Sequence, residues 1–342
     1  GGQLVVDEAP DPTPGPGQLL VRTLACGICG SDLHALAHGD QMVAMSAMVA
    51  SPDDPLPLAV MDLDADVVMG HEFVGEVVEV GAGGWNCSVG NTVVSVPMVM
   101  DSDGEAHTVG YSNVFPGGYG QLMVLSDPLA LRVPNGLDPH LAALTEPMAV
   151  GRHAAERSGI AAGEAAVVFG CGPIGLAVVA DLRRRGIEPI VAADLSPKRR
   201  ALATTMGAHE VVDPRDEPAI EAWRRVDSRH ATRPVVIFEA VGVPGMIDAA
   251  IVAAPRRSRV LVVGVCMEPD TIRPMIAVGR ELTVGFALGY EPAEFADTLR
   301  SIAEGELDVT PLITAKVGVD GVPDAFRALA DPEVHAKILV VP

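Results

Sequence analysis

The six residues Gly170, Cys171, Gly172, Pro173, Ile174 and Gly175 constrain this chain more than any other stretch. They follow the apolar run Ala165–Phe169 and open an amphipathic segment over 174–185, so that strand, glycine turn and helix come in succession. In that context a GxGxxG pattern reads as a dinucleotide site. The glycines let the backbone turn tightly and approach a pyrophosphate, whose charge meets the free N–H groups at the helix N-terminus. A second apolar run at 190–193 ends in Asp194, about 20 residues beyond the last glycine, where a carboxylate can accept hydrogen bonds from both hydroxyls of an adenosine ribose. It would repel a 2′-phosphate, which favours NAD over NADP, although Lys198, Arg199 and Arg200 lie close enough to soften that repulsion. Asp194 is equally placed to cap the helix starting at Pro197, and the two roles are compatible.

The pattern around this loop sets the fold class as α/β. Strands over 190–193, 235–239, 259–263 and 282–286, with helices over 197–206 and 245–253, extend the first strand into a doubly wound parallel sheet across residues 149–288. Residues 1–148 read differently. Short β-branched runs at 18–24, 73–80, 92–96 and 121–125, punctuated by glycine and proline, predict a β-rich domain with a weak helical signal. The tail, 289–342, is expected to carry a helix over 292–304 and a strand over 336–341 and to return to the first domain. A length of 342 residues supports two cores rather than one.

Charge and cysteine usage exclude several classes. A net charge of −21 opposes the counterion release that drives nucleic-acid binding, and it disfavours anionic membrane surfaces. The apolar runs around 165–180 are too short and too broken by glycine to span a bilayer. Five scattered cysteines make no disulfide framework, and no charged leader precedes the first motif, so a cytoplasmic location is expected.

Three further fragments carry metal chemistry. Cys29, Ser31 and His34 share one short loop, His71 and Glu72 follow Gly70, and Glu146 lies between Thr145 and Pro147. Zinc accepts thiolate, imidazole and carboxylate together, and a catalytic site keeps one position for water or substrate. Each fragment alone is weak, because single cysteines and histidines are commonly plain core.

Together, in the order GICGSDLH, GHE, EPMAV and GCGPIG with Asp194, these motifs resemble the zinc-containing medium-chain dehydrogenases, the family of alcohol, sorbitol, threonine and butanediol dehydrogenases. The resemblance covers essentially the whole chain. It implies a Rossmann sheet with a β-rich GroES-like catalytic domain, an active-site cleft between them, and a homodimer or homotetramer formed through the edge of the Rossmann sheet. Cys29 and His71 match the first two zinc ligands. Glu72 matches a carboxylate that either binds zinc or moves in and out of its shell. Glu146 is the fourth candidate, as in the sorbitol-type and threonine-type enzymes, with direct and water-mediated binding both open. Cys26 is assigned a structural role. Ser31 and His34 match the relay that carries the alcohol proton through the cofactor ribose to solvent, with His34 the terminal base; a plain turn hydroxyl is the alternative for Ser31. Ile174 matches a residue behind the nicotinamide, Arg199 one at the adenosine ribose, and Lys337 one at the pyrophosphate; Val265 and Leu288 are carried over as further cofactor-binding positions. The activity implied is hydride transfer from a secondary alcohol to NAD, or the reverse, with zinc as Lewis acid.

The chain departs from many relatives in two places. The segment 98–115, where they hold a structural zinc on four cysteines, has no cysteine, so one catalytic zinc per subunit is expected. Asp101, Asp103, Glu105 and His107 there read as a solvated turn. In addition, 41 residues lie between Cys29 and His71, an insertion beside the active site. Its Met42, Met45 and Met48 form a stripe if helical, followed by a proline-rich run over 51–57. Either it lids the cleft and favours a bulky, apolar alcohol, or it is an ordinary packing helix. A polyol or amino alcohol is an alternative substrate. Two alternatives of other classes are a zinc-free NADPH-dependent quinone or enoyl reductase and a non-catalytic dinucleotide-binding protein.

Overall fold

A computed structural model describes residues 2–49 and 61–342. Its first sheet has seven strands. Six run in the order Ile313–Val317, Lys337–Val340, Gln18–Gly27, Glu72–Val80, Thr92–Ser95 and Ala130–Arg132, while Leu122–Ser126 pairs with Gln18–Gly27. Register decides what this sheet can do. Gly27 lies opposite Glu72 on one side and Leu339 on the other, which brings the Cys29 loop, the His71 turn and Lys337 to the same end. Glycine at 27 is required there, because an added Cβ would overlap the Glu72 carboxylate.

The second sheet has six parallel strands in the order Glu210–Val212, Ile190–Ala193, Ala165–Phe169, Val235–Glu239, Arg259–Val262 and Thr283–Phe286. Numbered within this sheet, the order is 3-2-1-4-5-6, the doubly wound arrangement, with its switch point beside the glycine turn. Almost every residue of its first, second and fourth strands is buried, as strands covered by helices on both faces require. Helix Pro173–Arg184 begins with proline at its first position, where a missing N–H costs nothing. Helix Pro197–Met206 is capped by the Ser196 hydroxyl, which accepts from Arg199 N at 3.1 Å, and it stops at Gly207 in the left-handed conformation.

Helix Thr145–Ser158 ties the two sheets together. It packs on Pro173–Arg184 so closely that a Cβ on Gly151 would come within 2.5 Å of Ala177 Cβ. One apolar core runs through this junction, joining Ala25 and Val74 of the first sheet to Val168 and Phe238 of the second and to Leu176 of helix Pro173–Arg184. The tail divides. Its helix Pro292–Ala303 sends Phe295, Leu299 and Ile302 into that shared core, while its two strands complete the first sheet.

The weak helical signal expected before residue 150 is corrected by a 20-residue helix, Gly30–Val49, kinked at His38. Its apolar residues follow no single face, so periodicity could not reveal it; packing of Ala35, Met42 and Val43 on the first-sheet core holds it in place. The methionine stripe is split accordingly: Met42 is half-buried against that core, whereas Met48 is 84% exposed. The proline-rich run 51–57 lies outside the described residues.

Candidate active site

The metal-binding candidates converge from two adjacent strand ends. Strand Gln18–Gly27 runs into Ile28, whose N–H is held by Ile338 O at 3.0 Å, and then into Cys29. Across the register, Gly70 at φ 104° turns the chain so that His71 and Glu72 face the same space. One ligand atom each from Cys29, His71 and Glu72 lies within 4.8 Å of the others. A soft thiolate, an imidazole and a carboxylate so close together suit zinc's mixed donor preference, and the residues present therefore fit that ion. Glu146, in the first turn of Thr145–Ser158, stands outside this trio, yet its charge acts on the same space. Burial pushes its carboxyl up to about 7, against the pull of His71 and with the push of Glu72.

Behind the trio stands a buried polar cluster that the motifs did not disclose. Asp32 is fully buried and accepts from Tyr119 Oη at 2.6 Å, Cys29 N at 2.9 Å and Tyr111 Oη at 3.0 Å, and its Oδ1 lies 3.3 Å from His71 Nδ1. Burial alone would raise its pKa; His71 and these donors outweigh that and hold it below the ordinary carboxylate value. The reciprocal holds for His71: burial lowers its pKa, and Asp32 raises it well above the ordinary imidazole value. Asp32 lay unassigned within GICGSDLH. No local signal marks Tyr111 or Tyr119, which come from a loop some 80 residues away. Tyr290 was also missed: its buried hydroxyl makes no well-formed hydrogen bond, and burial and Glu146 raise its pKa well above the ordinary value.

Lys337 corrects an expectation. Instead of reaching toward a pyrophosphate, its Nζ is buried 2.7 Å from both Glu72 oxygens and 3.0 Å from Ile28 O. The cause is topological: strand Lys337–Val340 lies directly beside Gln18–Gly27, which points the lysine under the metal trio. Burial lowers its pKa, but Glu72 more than restores it.

Ser31 and His34 sit on consecutive turns of helix Gly30–Val49. Ser31 Oγ is 2.9 Å from Tyr111 Oη. His34 lies on the solvent side, where burial and the neighbouring His38 lower its pKa.

The cofactor loop has the features its sequence predicted. Gly170 adopts φ 90°, and a Cβ on Gly175 would strike the Gly170 carbonyl oxygen. Gly172 caps the helix with extended backbone and no side-chain acceptor, leaving the first N–H groups of Pro173–Arg184 available to an anion. Asp194 holds this loop in place, accepting from Cys171 N at 2.7 Å and Ser196 N at 2.8 Å. The helix cap itself is Ser196 rather than Asp194. Arg199 Nε is buried without a partner, and its guanidinium lies beside Gly172, an orphaned donor suited to an added acceptor. Val265 and Leu288 are exposed just beyond strands Arg259–Val262 and Thr283–Phe286, and Ile174 is half-buried at the start of the cofactor helix. Glu239, unassigned by sequence, is buried at the switch point and accepts from Val241 N and Gly242 N, shaping the opposite wall.

The hairpin Met98–Met100 and Ala106–Thr108 carries the acidic turn. There His107 Nε2 lies 2.9 Å from Asp101 Oδ2, and Asp101 also accepts from Asp103 N and Glu105 N.

Comparison with known proteins matches residues 15–135 to the alcohol dehydrogenase GroES-like domain and residues 173–304 to the zinc-binding dehydrogenase domain. The (R,R)-butanediol dehydrogenase of Bacillus subtilis is 33% identical over 98% of this chain and 96% of its own. A crystal structure of 2R,3R-butanediol dehydrogenase from the same organism aligns at a TM-score of 0.81 and 32% identity, over 98% of this chain and 95% of that one. The sorbitol dehydrogenase of Gallus gallus is 29% identical over 95% of this chain and 90% of its own.

Proposed function

Because this chain belongs to the zinc-binding family of medium-chain dehydrogenases, we propose that it oxidises a secondary alcohol to a ketone, or runs the reverse reduction, using NAD and one catalytic zinc. The observation that carries this reading is the convergence of Cys29, His71 and Glu72 in front of the buried Asp32 cluster. Those three residues would hold the ion, with Glu146 as a fourth carboxylate close by. When bound, zinc supplies Lewis acidity toward an alcohol oxygen, and the nicotinamide accepts a hydride.

The remaining work belongs to the chain itself. Asp32 orients His71 and keeps it anchored. Ser31 offers a hydroxyl that accepts the alcohol proton as it releases its own, and His34, on the solvent side one turn along the same helix, is the group through which the released proton leaves. The Gly170–Gly175 turn, with Arg199, seats the dinucleotide diphosphate and its ribose, and Asp194 favours the unphosphorylated ribose of NAD. Val265, Leu288 and Ile174 border the nicotinamide.

We assign the substrate to the vicinal diols and polyols, following the butanediol and sorbitol relatives. A bulky apolar alcohol is the second reading, and it depends on the insertion between Cys29 and His71. A second copy of the chain is the proposed partner: strand Thr283–Phe286 is an edge, paired only with Arg259–Val262 among the described residues, and Phe286 at its end is 61% exposed. The free thiols agree with a cytoplasmic location. Among the described residues, no helix is long and apolar enough to cross a membrane.

The test is NADH formation with a panel of 2,3-butanediols, sorbitol and cyclohexanol, with NAD and NADP in parallel, before and after chelation. Activity with a diol that is lost on chelation and restored by zinc supports the proposal. Alcohol oxidation that persists after the metal is fully removed would show that the reaction does not depend on an ion held by the trio.

A further inference from the structure

The Tyr111 hydroxyl touches two groups at once, Ser31 Oγ at 2.9 Å and Asp32 Oδ1 at 3.0 Å, and its ring leans on the His71 imidazole with centroids 5.2 Å apart. We propose that Tyr111 is a positioning residue that acts through Ser31: with its one proton given to Asp32, its oxygen accepts the Ser31 proton and turns the serine lone pairs toward a bound alcohol. This rests on the dehydrogenase reading above.

A phenol has a single proton and here has two acceptors. A carboxylate binds a hydroxyl proton about twice as strongly as a neutral oxygen does, so Asp32 takes it. Ser31 must then be the donor in its own contact with Tyr111. A serine whose proton is committed inward presents only lone pairs outward, and Ser31 is half-exposed. It therefore meets a substrate hydroxyl as an acceptor, and as the alcohol proton forms a new O–H bond on Ser31 the serine's inward O–H bond breaks and that proton leaves toward His34, so the hydroxyl ends neutral. Without the phenol the serine rotor is free, and part of its population points a proton at the substrate.

The loop that carries Tyr111 is built to hold it there. Gly110 adopts φ 88°, and a Cβ on it would come 2.9 Å from the backbone of Gly70, the residue before His71. Further along, Gly118 N donates to Gly70 O at 2.8 Å and Tyr119 N to Met69 O at 3.0 Å, so the whole segment is laid along the turn that presents His71. Tyr111 itself is buried, and Tyr119 gives Asp32 a second phenol proton on its other oxygen. Asp32 thus keeps partners when one phenol is removed, which makes Tyr111→Phe a mild change in packing that deletes one hydroxyl and preserves the ring against His71.

The experiment is a double-mutant cycle of Tyr111→Phe and Ser31→Ala, read by kcat/KM for the alcohol that the wild type uses best, by zinc content, and by urea unfolding midpoints in EDTA. Tyr111→Phe is expected to lower kcat/KM about 10-fold at unchanged zinc content, and the double variant to fall no more than about 2-fold below Ser31→Ala alone. In EDTA the two midpoint shifts are likewise expected to be less than additive, because one hydrogen bond is lost in either variant. Losses of rate that multiply, midpoint shifts that add, or loss of zinc in Tyr111→Phe would each overturn the proposal. If the wild type oxidises no alcohol, the dehydrogenase reading fails, while the urea cycle in EDTA still decides whether Tyr111 and Ser31 are linked.

Discussion

Replacing Lys337 by methionine probes the least expected contact in the site. The lysine and Glu72 are both buried, at 2% and 0% side-chain exposure, and the ammonium sits 2.7 Å from each carboxylate oxygen. Methionine fills similar space without charge, so the perturbation leaves Glu72 as an anion with its cation gone. Breaking a buried pair from one side costs about 3–5 kcal/mol, because the surviving charge is neither solvated nor compensated. The Ile28 carbonyl loses a donor as well, worth about 1 kcal/mol. With a urea slope of about 3 kcal/mol per molar, the unfolding midpoint in EDTA should fall by roughly 1.3–2 M. Zinc changes the comparison. Glu72 belongs to the trio facing the metal position, so a bound cation returns the positive charge that Lys337 supplied. The deficit should therefore narrow by at least about 1.4 kcal/mol in saturating zinc, which by linkage means zinc affinity at least about tenfold higher in the variant than in the wild type. Urea titrations with EDTA and with zinc, together with competition against a chromophoric chelator, measure both quantities. A deficit below about 1 kcal/mol in EDTA would show that Glu72 does not depend on the lysine for its charge. A deficit unchanged by zinc would show that Glu72 does not face the metal, and the reasoning would fail there.

Asp127 is buried and accepts backbone N–H groups from Trp85, Asn86 and Cys87 at 2.7–2.9 Å. Burial raises its pKa, but these donors outweigh it and hold it below the ordinary carboxylate value, so its stabilisation is full above that ordinary value and is lost as pH falls through the folded one. Asp127→Asn should cost about 2–3 kcal/mol at pH 7, and the gap to wild type in thermal or urea midpoints should shrink below pH 4; a gap independent of pH contradicts this. Gly175→Ala should weaken NAD binding more than tenfold in calorimetry, since the new Cβ meets the Gly170 carbonyl and must move the phosphate turn; unchanged affinity would mean that the turn does not seat the dinucleotide. Phe286→Asp should convert a dimer to monomers in light scattering by placing a charge at an apolar sheet edge, and an unaltered mass would locate any dimer contact elsewhere.

How much of this was legible beforehand follows from the range of the forces involved. Strands Ala165–Phe169, Ile190–Ala193 and Val235–Glu239 and helix Pro197–Met206 were fixed by local pattern: strands covered on both faces must be continuously apolar, and glycine or a hydroxyl cap marks the ends. Cys29, His71 and Glu72 were suggested by residue types that zinc accepts, but each fragment is weak alone and it was the resemblance to a family that joined them as ligands across 41 intervening residues. Helix Gly30–Val49 was not legible, since it is held by packing on one sheet rather than by its own periodicity.

The sequence by itself determined the doubly wound sheet and the phosphate turn, because each depends on neighbours within a few residues, while the candidate ligands came from motifs read together through a family resemblance. Only the tertiary structure decided that Lys337 neutralises Glu72 and that Tyr111 and Tyr119 converge on Asp32. Those partners meet across strand register and loop packing, with 265 and about 80 positions of chain between them, and nothing in the local spacing of charges or phenols encodes which strand lies beside which.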